Sequence, residues 1–404
     1  MVTDEQSADD RRGSVRGAQP LVETTRPWQR CTRTIMDTSD PAIWFDDEGV
    51  SNHALTFDAV VAPIVESAQS GGRAAELEQL VQRIKADGRG KPYDCVIGIS
   101  GGVDSSFLAL QAVRLGLRPL AVHFDSGWNS ELAVDNIHNI VTKLGLDLYT
   151  HVVDWREMRD LQLSFFKASV ANCDVPTDHA FGWVAYQQAR KYGIKYILSG
   201  GNYVSESVLP QSWGYNAGDA TQLKAIQKRF GSVKLKTYPV MGLFKRNIWY
   251  PYVRRINTVR LLDYLPYHYR DAKDEITREL GWRDYGGKHY ESVFTRYFQG
   301  YYLPMKFGYD KRLAHLSSLI LSKEITRDEA LDEMESSNYP EALRSQDHEF
   351  IAKTLGVSVD ELERIFSRPP LDYTAYPNGK KFWDGVFTVT SRVGGALRRL
   401  GMLR

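Results

Sequence analysis

The string Ser100-Gly101-Gly102-Val103-Asp104-Ser105-Ser106 constrains this chain more than any other. It follows an apolar run, Asp94-Cys-Val-Ile-Gly-Ile99, and leads into a helical one from Ser105 to Leu115. Two glycines let the backbone turn sharply and approach a bound group closely. The exposed N–H groups and the start of the next helix then form an anion cradle. Ser100, Ser105 and Ser106 can add hydroxyl donors, and Val103 lies within the same loop. Asp104 repels phosphate unless a magnesium ion lies between them, so it points to a metal or to helix capping. A bare Ser-Gly-Gly is also what a plain turn with a serine cap looks like. The full string in a strand–loop–helix setting is what raises it above that. GxxxxGK[ST] is absent and the loop has no lysine, so this is not a Walker loop. Cations for a bound pyrophosphate must come from elsewhere in the chain.

Strand and helix patterns alternate around this loop. Leu77 to Ala86 reads as an amphipathic helix, stopped by Asp-Gly-Arg-Gly-Lys-Pro. After the loop helix come a strand at Arg118–Phe124, a helix at Glu131–Leu144 and a strand at Asp147–Val153. Helices at about Trp155–Val170 and Thr177–Tyr192 precede a short strand, Tyr196–Ser199. Such alternation predicts βαβ units, a parallel sheet and an α/β fold. Ligands of open α/β sheets bind beyond the carboxyl ends of strands. Phe124 and Asp125, and Gly200 and Gly201, end two of these strands at the edge that carries the loop. Phe124 is a candidate to lie against adenine, and the glycines to admit a base or ribose. Each is also compatible with an ordinary βα turn. Beyond Gly201 the pattern loosens, with helical runs from about Ile256. Thr326 and Ser358 open helices with capping-box spacing.

Charge is nearly balanced, at a formal net +1, so bulk electrostatics favour neither nucleic acid nor acidic lipid. Cys31, Cys95 and Cys173 are too few and too scattered for a disulfide framework. No run approaches the roughly 18 apolar residues of a membrane span, and the first twenty residues lack the apolar core of a secretory signal. These features lead to an expectation of a cytoplasmic protein. Residues 1–25 are polar and expected to be disordered. The arginine-bearing Ser391–Arg404 is expected to be a solvated helix. Aromatics make up 12% of the chain, which suits core packing or a carbohydrate- or nucleotide-handling surface.

The loop resembles that of PP-loop ATP pyrophosphatases such as NAD, GMP and argininosuccinate synthetases. A longer resemblance, from about Cys31 to about residue 335, is to N-acetyl sugar amidotransferases of surface-polysaccharide biosynthesis. It is carried by Asn172-Cys-Asp-Val-Pro-Thr-Asp-His179, Ser199-Gly-Gly-Asn-Tyr-Val-Ser-Glu206 and Leu209-Pro-Gln-Ser-Trp-Gly-Tyr215. Further on it includes Gly281–Ser292, Phe294–Gln299, Leu303–Arg312 and His315–Ser318. The resemblance implies a parallel-sheet, adenine nucleotide α-hydrolase-like domain at 71–240. A small zinc-ribbon-like lobe at 26–70 would precede it. A substrate- and pyrophosphate-binding helical region at 241–335 and a helical extension at 336–404 would follow.

The implied reaction uses ATP, Mg2+ and ammonia to turn the acetamido group of a nucleotide-linked N-acetyl sugar into an acetamidino group. Lys288, Lys306, Lys311 and Arg312 are the candidate catalytic cations, with Asp104 as the magnesium ligand. Asn172, Thr177, Asp178, Asn202, Glu206, Trp213, Tyr215, His289, Glu291 and Arg296 are the substrate candidates. Arg296 is suited to a sugar carboxylate or a phosphate. Asp310-Lys311-Arg312 also reads as a local ion network, and Asp178-His179 as a base pair for ammonia or a helix start. No glutaminase is apparent, so ammonia is expected from separate glutaminase and cyclase-like subunits or from free ammonium. A homodimer is compatible with the sequence.

Family members carry paired CxxC zinc motifs near the N-terminus. The matching frame here is Cys31-Thr-Arg-Thr34 and Ser51-Asn-His-Ala54, short of the four N/S ligands of a structural zinc. No zinc is expected, and an apolar or hydrogen-bonded substitute is expected in its place. Two alternatives are a PP-loop tRNA-modifying sulfurtransferase and a nucleotide-binding assembly protein without catalysis.

Overall fold

The computed structural model describes residues 26–288, 290–336 and 339–385. The sequence readings of residues 1–25, His289 and Ser391–Arg404 fall outside the described residues.

Among the described residues the sheet has five parallel strands: β1 Cys95–Gly98, β2 Pro119–Asp125, β3 Asp147–Val152, β4 Tyr196–Ser199 and β5 Asn257–Arg260. Their spatial order is β3-β2-β1-β4-β5. Val96 pairs with Leu120 on one side and Ile197 on the other. β1 and β2 are buried almost throughout, whereas edge strand β3 is largely exposed. Continuous apolar runs in the centre are what a sheet covered on both faces requires. The helix Val103–Arg114 packs with Glu131–Leu144 and Tyr269–Leu280, while Val175–Lys191 lies against β1, β2 and β4. The expected α/β class, with a small N-terminal lobe and a mainly helical C-terminal region, is the observed one.

One secondary-structure reading is corrected. The helical run expected from Ile256 opens with β5, which pairs parallel to β4 from Tyr196↔Asn257 to Ser199↔Arg260. Asn-Thr-Val-Arg is too short to show a period. Only the open edge of β4 makes it a strand.

The N-terminal lobe is held by hydrogen bonds. Cys31 Sγ is buried and accepts from the N–H groups of Thr34 (3.4 Å) and Ser51 (3.2 Å). Burial pushes this thiol up, but the hydrogen bonds from Ser51 and Thr34 outweigh it and leave the pKa lowered. Asp40 joins His53 Nε2 (2.7 Å) and Ser212 Oγ (2.5 Å), and the N–H of Ile35 donates to Ser317 Oγ (3.3 Å). The lobe thus clamps two later segments. No group of three or more His, Cys, Asp or Glu able to hold a metal occurs among the described residues.

At the end of β1, Gly98 lies under the ring of Phe181, so a Cβ there would overlap the ring. Gly98→Val should lower stability by about 1–3 kcal/mol through overpacking, read as a lower urea midpoint with an unchanged m-value.

Candidate functional site

Strand order reverses between β1 and β4, because β2 and β3 extend one way and β5 the other. The loops leaving β1 and β4 therefore diverge and open a crevice. The β1 loop occupies one side. Gly101 has φ +86, and its carbonyl accepts from Trp282 Nε1 (2.7 Å) and the Tyr285 hydroxyl (2.9 Å). Gly102 is the N-cap of Val103–Arg114 and offers no side-chain acceptor to the first-turn N–H groups. Ser105 and Ser106 hydroxyls donate instead to the Gly102 carbonyl at 3.1 and 2.7 Å, and Ser100 Oγ accepts from Gly102 N–H at 3.3 Å. The serines thus brace the turn. This arrangement leaves a helix N-terminus suited to an anion.

The β4 loop closes on it. A Cβ at Gly200 would lie 3.2 Å from the Asp104 carbonyl carbon and from Ser105 N. Gly200 therefore allows two loops to pack, a use the sequence reading did not anticipate. Gly201 accepts from Arg260 Nε through its carbonyl (3.3 Å). Buried Asn202 caps Tyr203–Glu206 by accepting from Ser205 N–H, and its amide donates to Asp104 Oδ1 (3.1 Å). The hydroxyl of buried Tyr267 donates to the same oxygen. Burial, reinforced by the Asp104 charge, keeps that phenol protonated well above its ordinary range.

Lys288 arrives from far along the chain. Its Nζ is 3.3 Å from Glu206 and 3.9 Å from Asp104 Oδ2, with Ser205 Oγ and His315 Nδ1 each at 3.4 Å. Glu291 also reaches the loop, since a Cβ at Gly102 would be 3.3 Å from its Oε1. Lys311 Nζ sits 5.9 Å from the Trp213 ring. Burial lowers its pKa, opposed by the charges of Asp178 and Glu206. Asp104, Asn202, Glu206, Lys288 and Glu291 thus converge on the loop, and Lys311 is coupled to them through Glu206.

Other candidates are placed differently. Lys306 is fully buried and donates to Ser169 Oγ (3.0 Å) and to the carbonyls of Phe366 (3.1 Å) and Ile365 (3.4 Å). It ties the core to the C-terminal helices and is corrected from catalytic to structural. Arg312 chelates Asp310 (2.7 Å from Nη2) and donates to the Ser336 carbonyl (3.0 Å), which is the local-network reading. Arg296 spends its fork on Asp347, with both bonds at 2.9 Å, rather than on a sugar carboxylate. Phe124 is 5% exposed and stacked on His151, so it presents no open face for adenine. Asp125 accepts from Gly127 N–H (2.9 Å) and Asn129 Nδ2 (3.3 Å). His179 is not a base, because Nδ1 donates to the Ala217 carbonyl (2.7 Å) while Nε2 accepts from Met241 N–H (2.9 Å).

Thr177 and exposed Asp178 lie in the first turn of Val175–Lys191. Asn172, Trp213 and Tyr215 belong to a separate cavity region described below. Tyr267, Trp282 and Tyr285 were missed. Trp282 and Tyr285 lie within the family-like string Gly281–Ser292, which did not mark them out from their neighbours, and Tyr267 has no signal beyond the aromatic enrichment.

The geometry sets the loop apart from its neighbours chemically. An uncapped helix start lies beside an aspartate held by two neutral donors, and a lysine arrives from another segment. Such a site can bind an anion, hold a divalent cation against it through Asp104, and offset charge that develops on a departing group.

Residues 291–389 match the family profile of the C-terminal domain of LPS biosynthesis proteins like WbpG. No curated protein matches the chain. Among solved structures, NMN synthetase from Francisella tularensis is 15% identical (TM-score 0.27), over 51% of this chain and 86% of its own. The NH3-dependent NAD synthetase of Campylobacter jejuni is 15% identical (TM-score 0.28), over 39% of this chain and 72% of its own. NAD+ synthetase from Burkholderia pseudomallei is 14% identical (TM-score 0.29), over 76% of this chain and 96% of its own.

Two outcomes follow. Gly101→Ala should cost about 1 kcal/mol or more, from the left-handed φ and a Cβ 2.7 Å from the Tyr285 hydroxyl. Gly102→Ala, at φ −71, should cost less. Paired thermal melts with pyrophosphate titrations check both. Burial lowers the Lys306 pKa from 10.5 to about 8. Between those values the unfolded chain binds the extra proton, so stability should rise with pH there. Wild type should gain up to about 2 kcal/mol over Lys306→Met between pH 7 and pH 9.5, measured by urea unfolding at those two pH values.

Proposed function

We propose that the chain is an ATP-dependent, amidine-forming amidotransferase acting on the acetamido group of a nucleotide-linked N-acetyl sugar. One observation carries this reading most strongly. A phosphate-type loop with no cation of its own is met by Lys288, some 180 residues on, beside Asp104 and Glu206. The family match at residues 291–389 supports a polysaccharide setting.

In the proposed reaction the amide oxygen attacks the α-phosphorus of ATP, and the α–β bond breaks to release pyrophosphate. Ammonia adds to the resulting imidate carbon. The carbon–oxygen bond then breaks, AMP leaves with that oxygen, and an amidinium remains. The loop N–H groups and the helix start at Val103 hold the β- and γ-phosphates. Tyr267 and Asn202 fix one oxygen of Asp104 and leave Oδ2 turned to Lys288. A magnesium ion held by Asp104 would neutralise charge on the departing pyrophosphate. Lys288, beside Asp104, and Lys311 add positive charge, which counts for more where water is sparse. Ammonia would come from a glutaminase and its cyclase-like partner, or from free ammonium.

A sulfurtransferase needs a reactive thiol. Burial pushes Cys173 up to about 12 and raises Cys95 as well, and the Cys31 thiol is fully buried and closed to a substrate.

With ATP, Mg2+, ammonium and a panel of nucleotide-linked acetamido sugars, AMP should form in step with an acetamidino product. Asp104→Ala should lower the rate by roughly 100-fold or more, and Lys288→Met and Lys311→Met by about 10- to 1,000-fold. AMP formation that depends on tRNA, or none with any acceptor, would overturn the reading.

A further inference from the structure

A cavity of about 160 Å³ lies apart from the loop, walled by Asn172, Tyr215, Gln222, Tyr309, Asp372 and Tyr373 among others. Its wall joins four stretches of chain, near residues 170–172, 212–222, 307–309 and 370–373, the last in the C-terminal segment to which the sequence assigned no role. Gln222 and Tyr309 are 3% and 9% exposed. Gln222 Nε2 donates to the Tyr373 carbonyl (2.9 Å). Its Oε1 and the Tyr309 hydroxyl have no hydrogen-bond partner among the described residues. Asn172 Oδ1 accepts from Asp174 N–H (3.3 Å), and its NH2 group is likewise uncommitted among the described residues. An acceptor, a hydroxyl and a donor without a protein partner among the described residues thus gather on one cavity and offer a ligand matching groups.

The cavity also has a flat aromatic wall. Tyr215 stacks on Tyr373 with centroids 4.6 Å apart and planes 7° from parallel, and the Tyr215 hydroxyl is tied to Asp219 (2.6 Å). No lysine or arginine lines it, and its one charged lining residue is Asp372. An anion is therefore disfavoured. Its volume is well below the roughly 300–1,000 Å³ that encloses a whole drug-sized ligand, so it suits one ring. Trp213 stacks on Tyr309 (5.4 Å) and its ring centroid lies 5.9 Å from Lys311 Nζ. The cavity thus backs onto the cationic side of the loop site.

We propose that this cavity binds one uncharged, hydroxylated ring, the sugar of the acceptor, with its anionic parts kept outside on the Lys311 side. The proposal rests on the amidotransferase reading and narrows it, because it excludes a uronic acid from the pocket. Arg296, the residue best suited to a sugar carboxylate, is already taken by Asp347.

Saturation-transfer NMR with the methyl glycosides of N-acetylglucosamine and of glucuronic acid tests it without ATP. The neutral glycoside should bind to wild type and the uronate should not. Gln222→Leu and Tyr373→Ala should each weaken the neutral glycoside at least tenfold. Tyr373 is only half-buried, so a melting temperature close to wild type separates lost binding from lost fold. Preference for the uronate, or binding that neither variant changes, overturns the proposal. AMP formation only with uronate acceptors would sink this inference and leave the amidotransferase reading standing. Neutral-sugar binding without AMP from any acceptor does the reverse.

Discussion

Most of the site depends on how the Gly101 carbonyl is held. With φ at +86, that peptide turns its oxygen toward Trp282 and Tyr285, both from the segment after the last strand. The contact ties a local turn to the part of the chain that also brings Lys288 and Glu291. A glycine loop left alone would sample many conformations, since glycine loses more freedom on ordering than any other residue. Here two aromatic donors, buried Trp282 and half-buried Tyr285, select one. They also leave the start of the following helix clear of any side-chain cap.

A second consequence concerns charge. The loop contains an aspartate but no cation, so beyond what the helix start offers an anion, positive charge must come from tertiary structure. Lys288 does so while paired to Glu206, and Lys311 through its burial beside Trp213 and near Asp178 and Glu206. Lys306 shows the contrast. It is just as much a lysine in a family-like string, yet its ammonium caps the carbonyl end of Val359–Phe366 and Ser169 in the core. Residue type and motif membership are the same for all three lysines, and only their surroundings separate the roles.

The lobe at the N-terminus follows the same logic. In this lobe Cys31 Sγ receives two backbone N–H groups. Asp40 and His53 then link this lobe to Ser212, which lines the second cavity. A packing element thereby reaches one wall of that cavity.

Much of the core was legible in the sequence. The Ser100–Ser106 string and four of the five strands could be read because strand, turn and helix each leave a local periodic mark. Glu131–Leu144 and Tyr196–Ser199 have the bounds that the pattern suggested. Thr326 makes its capping box for the same reason, since both partners lie within one turn. β5 was not legible, because Asn257–Arg260 is a strand only where β4 offers an edge. Nor were Tyr267 on Asp104, Gly200 against the loop helix, Arg296 on Asp347, or the cavity closed by Tyr373. The sequence by itself determined the βαβ order and the anion-binding turn, which arise from interactions a few residues long. Tertiary structure alone decided which cations reach that turn and which groups wall the second pocket. Those choices depend on contacts between residues up to about two hundred positions apart, for which no local spacing exists.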